Sequence, residues 1–208
     1  MKKFLIVMMM FLVSCTPAII TNTPYLDRTM TRAVLQNEGM SVMPVLLEGQ
    51  LKNQDTLINK SFPEVMGRIS QKLGDLLQTR FQNTKVVQLE MILTLFNPSE
   101  NILEYPEGYI LTRGIFERFG IINTGLVSRV AEKAQTRFVV ITLVREATSQ
   151  GIVLTTLLWD AKDQKTVFAS TDNAKTEVTG NQALDEKLFS AATEALKTMI
   201  DKLSNRLP

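Results

Sequence analysis

The stretch from Arg137 to Ala174 constrains the fold more than any other. It holds three apolar, β-branched runs in succession: RFVVITLVREA (Arg137–Ala147), GIVLTTLLWDA (Gly151–Ala161) and KTVFASTDNA (Lys165–Ala174). Ser149-Gln150-Gly151 and Asp160–Gln164 offer the two turns between them. Such runs with such links predict three neighbouring strands in an antiparallel meander. A helical pattern follows over Ala183–Leu207, where Leu184, Leu188, Ala192, Leu196, Met199, Leu203 and Leu207 share one face. Asp185, Glu186, Lys197 and Asp201 lie elsewhere on that helix. Its polar side mixes both signs without a basic excess, which favours packing on a sheet over lying on a membrane.

Upstream, Met40–Leu47 follows Gly39 and predicts a first strand, in which Pro44 marks an edge, a bulge or a strand end because it has no N–H for a ladder. Ser61 and Glu64 have capping-box spacing, and Val65, Ile69, Leu73, Leu76 and Leu77 then recur at three and four residues. This predicts a helix beginning at Ser61, with Arg68, Lys72, Asp75 and Gln78 outward. Lys85–Leu95 is read as a second strand, and Thr124–Ala134 as a helix with Leu126, Val127, Val130 and Ala134 inward. Residues 96–123 are rich in turn formers, aromatics and arginine. The expected fold is α/β (α+β): one mixed sheet in the order β-α-β-α-β-β-β-α with helices packed on it. Residues 39–208 are long enough for a single domain with one core. Residues 15–38, rich in Thr, Asn and Pro, are expected to form a tether with a short helical patch near Leu26–Leu35.

The amino terminus gives the address. Lys2 and Lys3 precede the uncharged run Phe4–Val13, and Leu12-Val13-Ser14-Cys15 closes it. Ten helical residues reach only about 15 Å, half a bilayer core, so this is a secretory segment rather than a span. Leu12 at minus three, Ser14 at minus one and the sole cysteine at plus one resemble the lipobox of bacterial lipoproteins. That resemblance implies removal of residues 1–14 as a signal peptide, a diacylglyceryl thioether on Cys15 and acylation of its amino group. Thr16, where inner-membrane lipoproteins often carry Asp, implies sorting to the outer membrane, facing the periplasm.

Composition excludes most chemistry. There is no histidine, and Cys15 is the only thiol, so Cys/His metal sites, disulfide frameworks and Ser-His-Asp or Cys-His nucleophiles are ruled out. No S-x-x-K, G-x-S-x-G or Gly-rich phosphate loop occurs. Losing Lys2 and Lys3 leaves 21 basic against 21 acidic residues, a balance unsuited to nucleic acid. No cofactor, metal or enzymatic activity is expected.

The order of elements resembles a lipoprotein superfamily that includes the curli secretion channel subunit, the outer-membrane activator of penicillin-binding proteins and the amino-terminal domain of TolB. GMSVMPVLLEG, AEKAQTRFVVITLVRE and IVLTTLLWDAKDQKTVFAS carry the likeness, over most of residues 39–207. The chain departs from that pattern in Val45-Leu46-Leu47-Glu48 after Pro44 and in a turn, Ala161-Lys162-Asp163-Gln164, without glycine. A channel would also need strands of about nine to eleven residues in extra hairpins, and no segment supplies them.

The expected role is an accessory or assembly factor of an envelope complex in secretion, polysaccharide export or peptidoglycan synthesis. Its partners would be the outer membrane, through acyl chains on Cys15, an envelope protein and further copies in a homo-oligomer. Tyr105, Tyr109, Arg113, Phe116, Arg118 and Phe119 form the candidate partner surface, since aromatics and arginine dominate interface hot spots. A carrier or sensor holding a small apolar or glycan ligand between sheet and helix is the alternative. Trp159 is assigned to core packing, with Asp160 opening a turn through backbone amides. The carboxylate pairs Glu64 with Asp75 and Glu117 with Glu132 are read as solvated helix faces rather than a hydrolase site.

Overall fold

The computed structural model describes residues 24–47, 56–96, 124–148, 151–175 and 183–208. The meander forms as the sequence predicts, from β5 (Phe138–Thr148), β6 (Gly151–Asp160) and β7 (Lys165–Lys175). Phe138 faces Asp160 and Thr148 faces Gly151, while Asp160 faces Lys165 and Gly151 faces Lys175. Bulges interrupt the two ladders between Val144 and Glu146 and between Leu158 and Trp159.

The earlier elements are β1 (Tyr25–Leu26), α1 (Arg32–Glu38), β2 (Met40–Val42), β3 (Leu46–Leu47), α2 (Thr56–Arg80), β4 (Val86–Val87), α3 (Leu89–Thr94) and α4 (Thr124–Ala134). The chain closes with α5 (Leu184–Arg206). The described sheet has seven strands in the order β1-β7-β6-β5-β2-β4, with β3 also on β5. β2, β3 and β4 are parallel additions, and β1 joins β7 antiparallel. The class is α+β with one mixed sheet, as expected, and the strand order is more elaborate than the sequence pattern indicated.

Alternation along β5 divides the core in two. Phe138, Val140 and Val144 point toward α1, α2 and α5, where they meet Leu35, Ile69, Leu73, Leu77, Leu196 and Leu203. Val139 and Ile141 point to the opposite face, joining Leu157, Trp159 and Ala169 with Ile92 of α3 and Leu126, Val127 and Val130 of α4. The α4 range and its four inward residues match the sequence reading, and Ala131 joins them.

Four expectations are corrected. Met40–Leu47 is two short strands rather than one, with three residues opposite two of β5, so Pro44 sits at a bulge where no ladder needs its N–H. There Val45 N–H donates to Ser70 Oγ (2.9 Å), both buried beneath α2. The α2 helix starts at Thr56, five residues before Ser61; the capping-box spacing is a local signal, and nothing between Thr56 and Lys60 breaks a helix. Lys85–Leu95 is not one strand: pairing stops at Val87, and Leu89, Ile92 and Phe96 recur at helical spacing to bury one side of α3. Finally, residues 24–38 are part of the fold rather than a tether. β1 pairs Tyr25 with Ala169 and Leu26 with Phe168, and Met30 and Leu35 are buried.

Gly39 makes the turn from α1 into β2 possible. Its φ of 68° and ψ of 171° lie in a region essentially confined to glycine. A Cβ there would also stand 3.0 Å from the Lys85 carbonyl oxygen. The two N–H···O bonds that close the turn run from Gly39 to Leu35 and from Phe138 to Gly39 (3.0 and 3.2 Å).

Candidate interaction surface

Cys15, Thr16, Tyr105, Tyr109, Arg113, Phe116, Arg118 and Phe119 all lie outside the described residues. The structure does describe the two roots from which the 97–123 stretch springs. At one root, Lys133 Nζ donates to the Leu95 carbonyl (3.0 Å) and stands 4.3 Å from the centre of the Phe96 ring. That pairs a cation with an aromatic face while Phe96 itself is buried. At the other root, Thr124 opens α4. Lys133 is nine residues further along the same helix, about 14 Å along its axis from Thr124.

Beside the first root, α3 exposes apolar side chains. Leu89 and Ile92 are turned inward, whereas Met91 and Leu93 are 59% and 39% exposed. Glu90, next to them, accepts from Gln71 Nε2 of α2 (2.7 Å), tying α3 to the long helix. A strand over 85–95, as the sequence pattern suggests, has no such outward face. The spacing of Leu89, Ile92 and Phe96 was the signal that could have revealed it.

Trp159 and Asp160 behave as the residue types suggest. Trp159 is 1% exposed and packs in the α3/α4 core. Asp160 Oδ1 accepts from the N–H groups of Lys162 and Asp163 (3.0 and 3.1 Å), closing the β6–β7 turn. Arg137, the residue before β5, grips the same carboxylate through Nε (3.0 Å) and Nη2 (2.7 Å), and reaches Asp163 (3.1 Å). Burial pushes the Asp160 carboxyl up, but Arg137 and the two turn amides outweigh it and hold it below the usual carboxylate range. This is a structural clamp on the hairpin, because each of its charges has a partner within the cluster.

Glu64 and Asp75 stand eleven residues apart on α2, about 16 Å along its axis, too far to act as a catalytic couple. Asp75 accepts from Gln88 Nε2 (3.3 Å), Glu64 is exposed, and Glu117 lies outside the described residues. Among the described residues, no group of three His, Cys, Asp or Glu could hold a metal ion. An open groove between α2 and α5 is lined by Lys72, Glu186, Phe189, Ser190, Thr193 and Glu194. Arg68 forms a two-pronged pair with Glu186 there (2.8 and 3.1 Å) and stacks 4.3 Å from Phe189. Polar and formed by the helix pair, it differs from the apolar cavity between sheet and helix that a carrier would use.

The sequence matches no protein-family model and no curated protein. Among solved structures it is similar to the PelC dodecamer from Paraburkholderia phytofirmans, at 11% identity and a TM-score of 0.49, covering 87% of this chain and 94% of that one. It is also similar to lipoprotein GNA1162 from Neisseria meningitidis, at 13% identity and a TM-score of 0.42, over 82% and 98% of the two chains. The LpoB C-terminal domain from Salmonella enterica aligns at 5% identity and a TM-score of 0.35, over 70% and 95%. At TM-scores below 0.5 these likenesses carry no argument about what this chain does, which rests on its own residues.

Proposed function

We propose that this chain is an outer-membrane lipoprotein facing the periplasm, and that it acts without catalysis as an accessory or assembly factor of an envelope complex. The observation that carries the reading is Leu12-Val13-Ser14-Cys15, placing the sole cysteine directly after a secretory apolar run. Acyl chains on Cys15 would hold the domain at the bilayer, because two or more chains together anchor what one cannot. Confinement to that layer raises the effective concentration for a membrane-bound partner, and for further copies of the chain, without any added contact.

The partner surface of this reading is Tyr105, Tyr109, Arg113, Phe116, Arg118 and Phe119. Support comes from its frame: the stretch is rooted on α3 and α4, next to the exposed Met91 and Leu93. The test is photocrosslinking in intact cells, with a photoreactive residue placed in turn at Tyr109, Phe116 and Phe119. Controls are the exposed Gln78 and Thr79 near the end of α2. Capture of one envelope protein at the three sites and not at the controls is the expected result. Capture only of the chain itself points to a homo-oligomer, and equal capture at test and control sites sinks the docking surface.

A further inference from the structure

The groove between α2 and α5 holds one more charge than it has partners for. Arg68 of α2 meets Glu186 of α5 (2.8 Å), and further along both helices Arg80 meets Asp201 (3.3 Å). The two helices therefore run side by side in the same direction, pinned at two points. The groove opens just past the first pin. Lys72 lies one turn beyond Arg68, and Phe189, Ser190, Thr193 and Glu194 lie one and two turns beyond Glu186. Its floor is firm, because Phe189 packs against the core and carries the Arg68 guanidinium 4.3 Å from its ring centre.

Most polar groups there are already engaged. Both Glu186 oxygens accept from Arg68 (2.8 and 3.1 Å). Glu194 accepts from Lys197 Nζ on its own helix (2.7 Å), and the Thr193 hydroxyl donates to the Phe189 carbonyl (2.8 Å). Glu64 and Asp185 direct their charge at Arg68, before the groove begins. Lys72 is half-buried, yet among the described residues neither its ammonium nor the Ser190 hydroxyl has a partner. An ammonium only donates, so the unused capacity of the groove is mainly donor, with one unmatched positive charge. A phosphate would want several donors converging on it. A sugar's rim of hydroxyls would want free acceptors, which are scarce while both glutamates are engaged. The groove is also too open to enclose a small molecule.

We propose that the α2/α5 groove docks an acidic peptide segment of a partner protein, with one Asp or Glu carboxylate on Lys72 and a neighbouring apolar side chain against Phe189. One carboxylate matches the one unpaired ammonium, and the Ser190 hydroxyl is free to donate to a main-chain carbonyl of the same segment. Neither residues 105–119 nor the anchor at Cys15 is required, so this site and the reading above stand or fall separately.

The experiment is an NMR titration of the isotope-labelled full-length protein in detergent micelles. The probes are capped hexapeptides in a glycine–serine background, each with one glutamate beside leucine, valine or phenylalanine, and the same peptides with glutamine instead. The glutamate peptides should shift the amides of Lys72, Phe189, Ser190 and Thr193, while those of Gln78 and Thr79 stay in place. Glutamine in the peptide, or Lys72→Gln in the protein, should weaken binding about three- to fivefold, and added salt should weaken it too. Ser190→Asp gives Lys72 a carboxylate inside the groove and should exclude the glutamate peptides. Equal binding of the two peptide sets, binding unchanged by both variants, or no shift at these residues with any peptide would overturn the proposal. So would shifts there from oligogalacturonate but not from the peptides, since a saccharide would then be the occupant.

Discussion

On one side of β5 the sheet continues through antiparallel strands of ten and eleven residues, each reached by a short turn. On its other side it continues through parallel strands of two or three residues, and Met40 meets Phe138 across nearly half the chain. The first half is stabilised by long ladders between sequence neighbours. The second has few ladder bonds and must close long loops, so its stability comes from packing: Met40, Met43 and Ile92 are wholly buried. The Gly39 turn and the Val45–Ser70 bond add local constraints there. Ladder-built and packing-built halves should fail differently.

Breaking the ladder-built half should cost most. Phe168, on the central face of β7, is 1% exposed, and Phe168→Ala should lower unfolding free energy by about 3–5 kcal/mol in a denaturant titration. Ile92→Ala in α3 should cost about 2–4 kcal/mol. In native-state hydrogen exchange its effect should concentrate in β4 and α3 while β5–β7 keep their slow amides. Equal acceleration in both halves would mean that they open as one unit. Gly39→Ala strains a glycine-only conformation and should cost about 1–3 kcal/mol, without changing the β5–β7 register.

The smallest effect is expected at the strap that leads out of β1. Bonds from the Thr29 hydroxyl and Thr29 N–H, followed by Lys165 Nζ, lower the Asp27 carboxyl from 3.8 to about 2. Because the folded value lies below the unfolded one, its stabilisation is present above about pH 4 and is lost as pH falls toward 2. The difference in unfolding midpoint between the natural protein and Asp27→Asn should therefore close over that window. A difference that is constant from pH 6 to 2 would remove this role for the carboxylate.

Legibility in the sequence follows the same division. The runs from Arg137 to Lys175 and the helical stripe after Ala183 were readable because period and turns are local. α4 was readable from Leu126, Val127 and Val130. Val86-Val87, by contrast, is a strand only because β2 lies beside it, and Leu89–Thr94 turns helical straight afterwards. Residues 25–38 look like linker by composition, yet Met30 and Leu35 find buried sites supplied by distant elements, and Arg32 Nη2 reaches the Ser204 carbonyl (3.0 Å). Of the candidate site, sequence named the aromatic–arginine stretch, while the exposed Met91 and Leu93 came into view only with α3 in place.

The most direct test of the account is the mass of the amino-terminal peptide from protein purified out of cell membranes. The account predicts a peptide beginning at Cys15, carrying a thioether-linked diacylglyceryl group and an acylated amino terminus. A peptide retaining Met1, or an unmodified Cys15, would contradict it.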